Sequence, residues 1–147
     1  MSLKKKLSED MKGALRAKET ARLSALRLLL AAVRQKEIDE RIELDDAGFV
    51  AVVEKLIKQR KDSVTQYLAA ARPDLADSEQ AEIEVLTAFM PQPFSEQEVA
   101  ALIESALAET GAASAKDMGK VMAWLKPRLA GRADMGTVSA RIKSALA

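Results

Sequence analysis

Apolar residues recur along this chain at spacings of three and four, the period of an α-helix with one buried face. No segment shows the alternation expected of a strand. Leu3, Leu7, Met11 and Leu15 mark a first amphipathic helix. A longer second one begins near Thr20, carries Leu23, Leu26, Leu30 and Val33 on one face, and runs into the charged stretch Lys36 to Arg41. Asp45 and Asp46 offer a cap for a third helix. Its stripe is Phe49, Val52, Val53, Leu56, Ile57, Val64, Tyr67 and Leu68. Arg72-Pro73 ends that helix, because a proline ring pushes the preceding residue out of the α region. A fourth helix takes in Leu75, Ile83, Leu86, Phe89 and Met90.

Pro91-Gln92-Pro93 is the clearest break, since two prolines around one residue favour an extended connector. It predicts an N-terminal helical domain over 1–90, a Pro-rich connector over 91–94 and a C-terminal helical domain over 95–147. Ser95 with Glu98 forms a capping box for a helix bearing Val99, Leu102, Ile103 and Leu107, and Gly111 is its left-handed stop. Ser114 and Asp117 form a second box opening a sixth helix, with Met118, Val121, Met122 and Leu125 inward. Pro127 either kinks that helix or ends it, and Gly131 closes the segment. The last helix starts near Asp134 and turns Val138, Ile142 and Leu146 inward. The prediction is all-α, an N-terminal four-helix unit followed by a C-terminal three-helix domain.

One motif is written twice. Asp117-Met118-Gly119-Lys120-Val121 recurs as Asp134-Met135-Gly136-Thr137-Val138, each copy at a helix start. Asp accepts hydrogen bonds from unpaired first-turn N–H groups and suits the positive helix end. Gly119 and Gly136 lower helix propensity by roughly 1 kcal/mol each relative to Ala. That pattern predicts backbone crowding, against either a neighbouring helix or a ligand. Two capped helix starts account for the same residues.

Composition narrows the chemistry. The 147 residues include no Cys and no His, which excludes disulfides, thiolate nucleophiles, histidine bases and ordinary zinc sites. The glycines stand apart, so there is no Gly-rich phosphate loop. No catalytic residue, metal ligand or cofactor site is assigned. The N-terminus reads as amphipathic, not as a signal-peptide apolar block, and no run is long enough to span a membrane. These two readings make the cytoplasm the expected location.

The formal net charge is +1, unevenly spread. Residues 1–44 carry net +4 and residues 45–90 net −4. Between Lys116 and Lys143 seven cations (Lys116, Lys120, Lys126, Arg128, Arg132, Arg141, Lys143) face only Asp117 and Asp134. A solvated surface explains such a set, and so does a polyanion partner. Structured RNA is bound electrostatically by a basic face without base-stacking aromatics, which make up only 3% of this chain. Lys116 and Lys120, one turn apart, are expected to share a face. The flanks of the two helix starts could also receive phosphate, although Asp already occupies each anion-favouring end. Trp124 reads as a core or hinge anchor. Lys55, Lys58, Arg60 and Lys61, the basic block of the acidic middle, read as solvent-facing, with a partner groove as the alternative.

Several stretches, in this order and spacing, resemble the GatB/YqeY family and specifically its short free-standing YqeY-type members. They are Leu26-Arg27-Leu28-Leu29-Leu30-Ala31-Ala32, Leu56-Ile57-Lys58-Gln59-Arg60-Lys61-Asp62-Ser63 and Glu82-Ile83-Glu84-Val85-Leu86. Met90-Pro91, Lys116-Asp117-Met118-Gly119-Lys120-Val121-Met122 and Gly131-Arg132-Ala133-Asp134 complete the set. Together they span essentially the whole length. After Asp134 the family pattern has Gly-Lys, whereas this chain has Met135-Gly136-Thr137, one basic residue fewer.

The resemblance implies an all-helical protein whose C-terminal half is similar to the tail domain of the B subunit of glutamine-dependent aminoacyl-tRNA amidotransferases. There the tail helps hold the misacylated tRNA, while ammonia release and substrate phosphorylation reside in other domains. The label of carbon–nitrogen ligase with glutamine as amido-N donor thus describes the company the domain keeps. The partners implied are tRNA and amidotransferase subunits or an aminoacyl-tRNA synthetase, with no cofactor, metal or membrane. Three functional classes follow: a non-catalytic tRNA-binding or amidotransferase-associated module, a protein-interaction module without RNA binding, and a small ligase.

Overall fold

The computed structural model describes residues 2–147, and among them regular structure is helical throughout. The helices are α1 (Leu3–Arg16), α2 (Thr20–Glu40), α3 (Asp46–Ala69), α4 (Pro73–Thr87), α5 (Glu96–Thr110), α6 (Met118–Leu129) and α7 (Met135–Leu146). A 3-10 turn, Ala115–Asp117, precedes α6. The chain divides into two compact units at the Met90–Pro91 bond.

In the first unit, caps set the helix starts. Ser2 accepts from Lys5 N at 3.2 Å, and Asp45 accepts from Gly48 N at 2.8 Å. Asp46 reaches across to Leu3 N at 2.9 Å, which ties the first turn of α1 to that of α3. The core is built from Leu7 and Ala14 of α1, Leu23, Leu26, Leu29 and Val33 of α2, and Phe49 and Val53 of α3. Leu44, Leu86 and Phe89 close it. The rings of Phe49 and Phe89 lie 5.8 Å apart, tilted by 42°. Full burial of a side chain this size contributes about 1.5–3 kcal/mol. Lys6 sits over the Phe89 ring at 4.7 Å and donates to Ala88 O at 2.6 Å, covering the end of that core. Arg60 pairs with Glu82 at 2.7 Å across α3 and α4, so this member of the basic block is not solvent-facing.

Two apolar residues expected inward are exposed, Leu15 at 61% and Leu68 at 58%. A strict four-residue spacing drifts about 40° per step around an α-helix, so Leu15 lies roughly 120° from Leu3. Ala14, fully buried, takes the core position in that turn. Leu68 lies in the last turn of α3, beyond the half of that helix that meets the core. In α2, Leu29 is fully buried and Leu30 only partly so.

The second unit has its own core. Val99, Ile103 and Ala106 of α5, Val121, Leu125 and Leu129 of α6, and Val138, Ile142 and Leu146 of α7 are buried together. The Ser95 box is complete, Glu98 N donating to Ser95 Oγ and Ser95 N to Glu98 Oε1, both at 3.1 Å. The N–H of Ser95 holds the Glu98 carboxyl below the ordinary glutamate range. Gly111 ends α5 at φ +65°. Pro127 lies inside α6, which continues to Leu129, so it does not end the helix. Its position in the last turn removes one N–H and leaves the earlier ladder intact. Gly131, at φ +73°, then turns the chain toward α7.

Candidate nucleic-acid interface

The two copies of the repeated motif do different work. Asp134 caps α7 in the forward direction, accepting from Gly136 N at 3.0 Å and from Thr137 Oγ1 at 3.0 Å. Asp117 points backward, its Oδ2 accepting from Ala113 N at 2.9 Å and Ser114 N at 3.3 Å. It makes no side-chain cap to the first turn of α6. The 3-10 turn causes this difference, because it supplies the N-terminal geometry of α6 and frees Asp117 to hold the loop before it. The Ala113 N–H, with that of Ser114, keeps the Asp117 carboxyl below its ordinary range.

The expected crowding at the motif glycines is absent within the protein. A β-carbon at Gly119 would have no neighbour within 4 Å, and one at Gly136 would meet only Asp134 Oδ1 at 3.3 Å. Packing against a neighbouring helix therefore does not explain either glycine.

Of the seven cations, Lys116, Lys120, Lys126, Arg128, Arg141 and Lys143 are exposed and Arg132 is half-buried. They do not converge on one face. Residues two apart on a helix point about 160° away from each other. Lys126 and Arg128 thus flank α6 on opposite sides, and Arg141 and Lys143 do the same on α7. Lys116 belongs to the 3-10 turn and Lys120 to α6. The tighter winding of that turn rotates Lys116 roughly 40° beyond the α-helical alignment with Lys120. Lys120 also approaches Asp117 Oδ1 at 4.0 Å.

Two arginines have structural tasks. The Arg128 guanidinium stacks 3.7 Å over the Trp124 ring and donates to Trp124 O. Trp124 in turn donates through Nε1 to Glu109 Oε2 at 3.0 Å, so the indole anchors α6 to α5. Arg132 stacks 3.6 Å over Phe94 and donates through Nε to Gln92 O at 2.8 Å. Its carbonyl accepts from Phe94 N at 2.9 Å. These contacts fasten residues 92–94 to the turn before α7.

Beside this clamp runs a groove of about 390 Å³, where Arg132 and Arg141 face Glu96 and Asp134 over Phe94 and Val138. Its mixed charge makes it a poor seat for a polyanion. Phe94 escaped the sequence reading, although an aromatic residue directly after a double-proline connector was the available signal. Among the described residues, no three carboxylates gather into a metal-ion ligand set.

The protein-family model for Yqey-like proteins matches residues 4–146. The chain belongs to this family. Curated relatives of this Yqey-like chain include "Altered inheritance of mitochondria protein 41, mitochondrial" of Lachancea thermotolerans, 37% identical over 70% of this chain and 57% of the relative. The like-named protein of Eremothecium gossypii is 36% identical over 57% of the chain and 46% of its own length. That of Saccharomyces cerevisiae is 37% identical over 58% and 47%. The Yqey-like chain spans about half the length of these curated relatives.

Their names place those yeast proteins in mitochondria, and this overturns the expectation of a cytoplasmic location. That expectation rested on the lack of an apolar leader and of a membrane-spanning run. Neither feature bears on mitochondrial transit segments, which are amphipathic and Arg-rich.

Proposed function

We propose that this Yqey-like chain is a non-catalytic module that holds tRNA electrostatically through its C-terminal unit, in association with the machinery of tRNA amidation. The observation that carries this reading is a set of exposed lysines, Lys116, Lys120, Lys126 and Lys143, standing free of the core and of the two arginine clamps. They lie in the part of the chain that is similar to an amidotransferase tail. Their spread around α6 and α7 suits a curved polyanion better than a cleft-bound ligand. At physiological salt, charges act on phosphates over about 8 Å without close packing. The lack of His and Cys and the scattered glycines support a role without chemistry of its own.

The test is a titration of the full chain against labelled total tRNA by fluorescence anisotropy at two salt concentrations. Saturable binding should weaken steeply with salt. The triple variant Lys116→Glu, Lys120→Glu, Lys126→Glu should weaken it further and reduce the salt slope by about two to three. Unaltered affinity and slope in the triple variant would remove this surface. Absence of binding even at low salt would select a protein-interaction module instead.

A further inference from the structure

α1 and α2 form an antiparallel hairpin. Lys4, near the start of α1, reaches Glu37 near the end of α2 at 2.8 Å, and Glu19 N donates to Ala14 O across the turn. Along this hairpin lies a groove of about 330 Å³. Its apolar lining is Met11 and Leu15 from α1 with Leu23 and Leu30 from α2. Its ionisable lining is entirely basic: Lys4, Lys12, Arg27 and Arg34.

Lys4 is engaged by Glu37 and, at 3.6 Å, by Glu43. Lys12 and Arg27 are exposed and form no ion pair among the described residues. Leu15, the apolar residue that rotated off the core, is 61% exposed here.

The spacing of this lining matters as much as its charge. Leu23, Arg27, Leu30 and Arg34 follow one another at intervals of four, three and four, so they line one face of α2 with leucine and arginine in alternation. The row is about 16 Å long at the α-helical rise, enough for roughly three turns of an incoming helix. Lys4, Ser8, Met11 and Leu15 supply the facing wall over the same length. Phosphates would gain nothing from the aliphatic floor, and the lining holds no aromatic ring on which a base could stack.

We propose that the α1–α2 groove docks an amphipathic helix of a partner protein, with leucine-type residues on its seam and Asp or Glu on the seam's flanks. The aliphatic floor takes the seam, and Lys12, Arg27 and Arg34 take the flanking carboxylates. Residues 1–44 are net +4, so the acidic helix is also steered toward the site.

The probe is a fluorescein-labelled synthetic helix of about four turns, with Leu at four-three spacing and Glu on both flanks. Its twin carries Lys in place of every Glu. With the full chain, the acidic peptide should give saturable anisotropy and bind at least about tenfold more tightly than the twin. The double variant Lys12→Glu, Arg27→Glu and the single variant Leu15→Asp should each weaken it by about tenfold or more. All three side chains are exposed, so thermal unfolding followed by circular dichroism should stay in place.

Equal binding of the two peptides, no saturation, or full affinity in the variants overturns the proposal. So does a dimer in sedimentation velocity that dissociates in the double variant, which would give the groove to a second copy. Loss of tRNA binding in the Lys12→Glu, Arg27→Glu variant would give it to RNA and overturn the proposal as well. Loss confined to the Lys116, Lys120, Lys126 variant leaves the groove to the peptide, so failure here is distinct from failure of the tRNA reading.

Discussion

Glu37 closes the N-terminal unit with one carboxylate. Its Oε2 accepts from Lys4 Nζ and from Leu44 N, each at 2.8 Å, joining α1, α2 and the loop leading to α3. The hydrogen bond from Lys4, then that from Leu44, holds the Glu37 carboxyl below its ordinary value of 4.5. The same pairing raises Lys4 above 10.5. Between the lowered folded value and 4.5 the unfolded chain binds more protons, so stability rises with pH there. The contribution is complete above 4.5 and lost as pH falls through the folded value. On the Lys4 side it is complete below 10.5 and lost as pH rises through the raised value. Urea unfolding from acid to neutral pH should therefore show a shallower dependence for Glu37→Gln than for the unaltered chain. Identical slopes would mean that the pair does not hold in solution. Glu98 and Asp117 are lowered by backbone N–H groups in the same way and should leave a residual acid sensitivity in the variant.

The helix ends divide into two kinds. Gly111 and Gly131 adopt positive φ, a conformation that glycine reaches without strain. Lys18, Arg41 and Ala71 adopt it at φ of 58°, 53° and 58°, where a β-carbon costs about 1 kcal/mol. Ala71 is exposed and makes the turn between α3 and α4. Ala71→Gly should raise stability by a few tenths to about 1 kcal/mol, after the greater unfolded-state freedom of glycine is counted. Gly111→Ala should lower it by about 1 kcal/mol, with no clash involved, because nothing lies within 4 Å of the added carbon. Thermal melts read both signs, and a destabilised Ala71→Gly would contradict the strain argument.

These elements were largely legible beforehand, since apolar period, caps and prolines act within one turn of the chain. What escaped was set by rotation and by partners. Leu15 drifted off the core face, the Ser114–Asp117 box formed as expected but on a 3-10 turn and not on α6 itself, and the five cations of α6 and α7 fell on different sides of those helices. Arg132 and Arg128 read as free cations because nothing in a charge pattern shows which arginine an aromatic ring will claim.

At the scale of the molecule, each unit buries its own core, and charge is polarised inside each one. Residues 1–44 are net +4 against −4 for 45–90, while α5 carries Glu96, Glu98, Glu104 and Glu109 ahead of the cations of α6 and α7. Clustered cores with this local charge balance lead us to expect that residues 91–147, expressed alone, unfold cooperatively on heating. A chain of that size folds near the margin, as domains of about 60 residues do. Truncating the fully buried Leu125 to Ala should cost about 2–5 kcal/mol and abolish the transition. A fragment that melts without cooperativity would refute the autonomy of this core.

The chain has one tryptophan and one tyrosine, Trp124 in the C-terminal unit and Tyr67 in the N-terminal unit. Trp124 is half-buried, hydrogen-bonded to Glu109 and covered by Arg128, so its emission reports the docking of α5 on α6. The protein thus carries a native optical label for its C-terminal unit, and selective excitation of the indole would follow that unit in the intact chain without any dye.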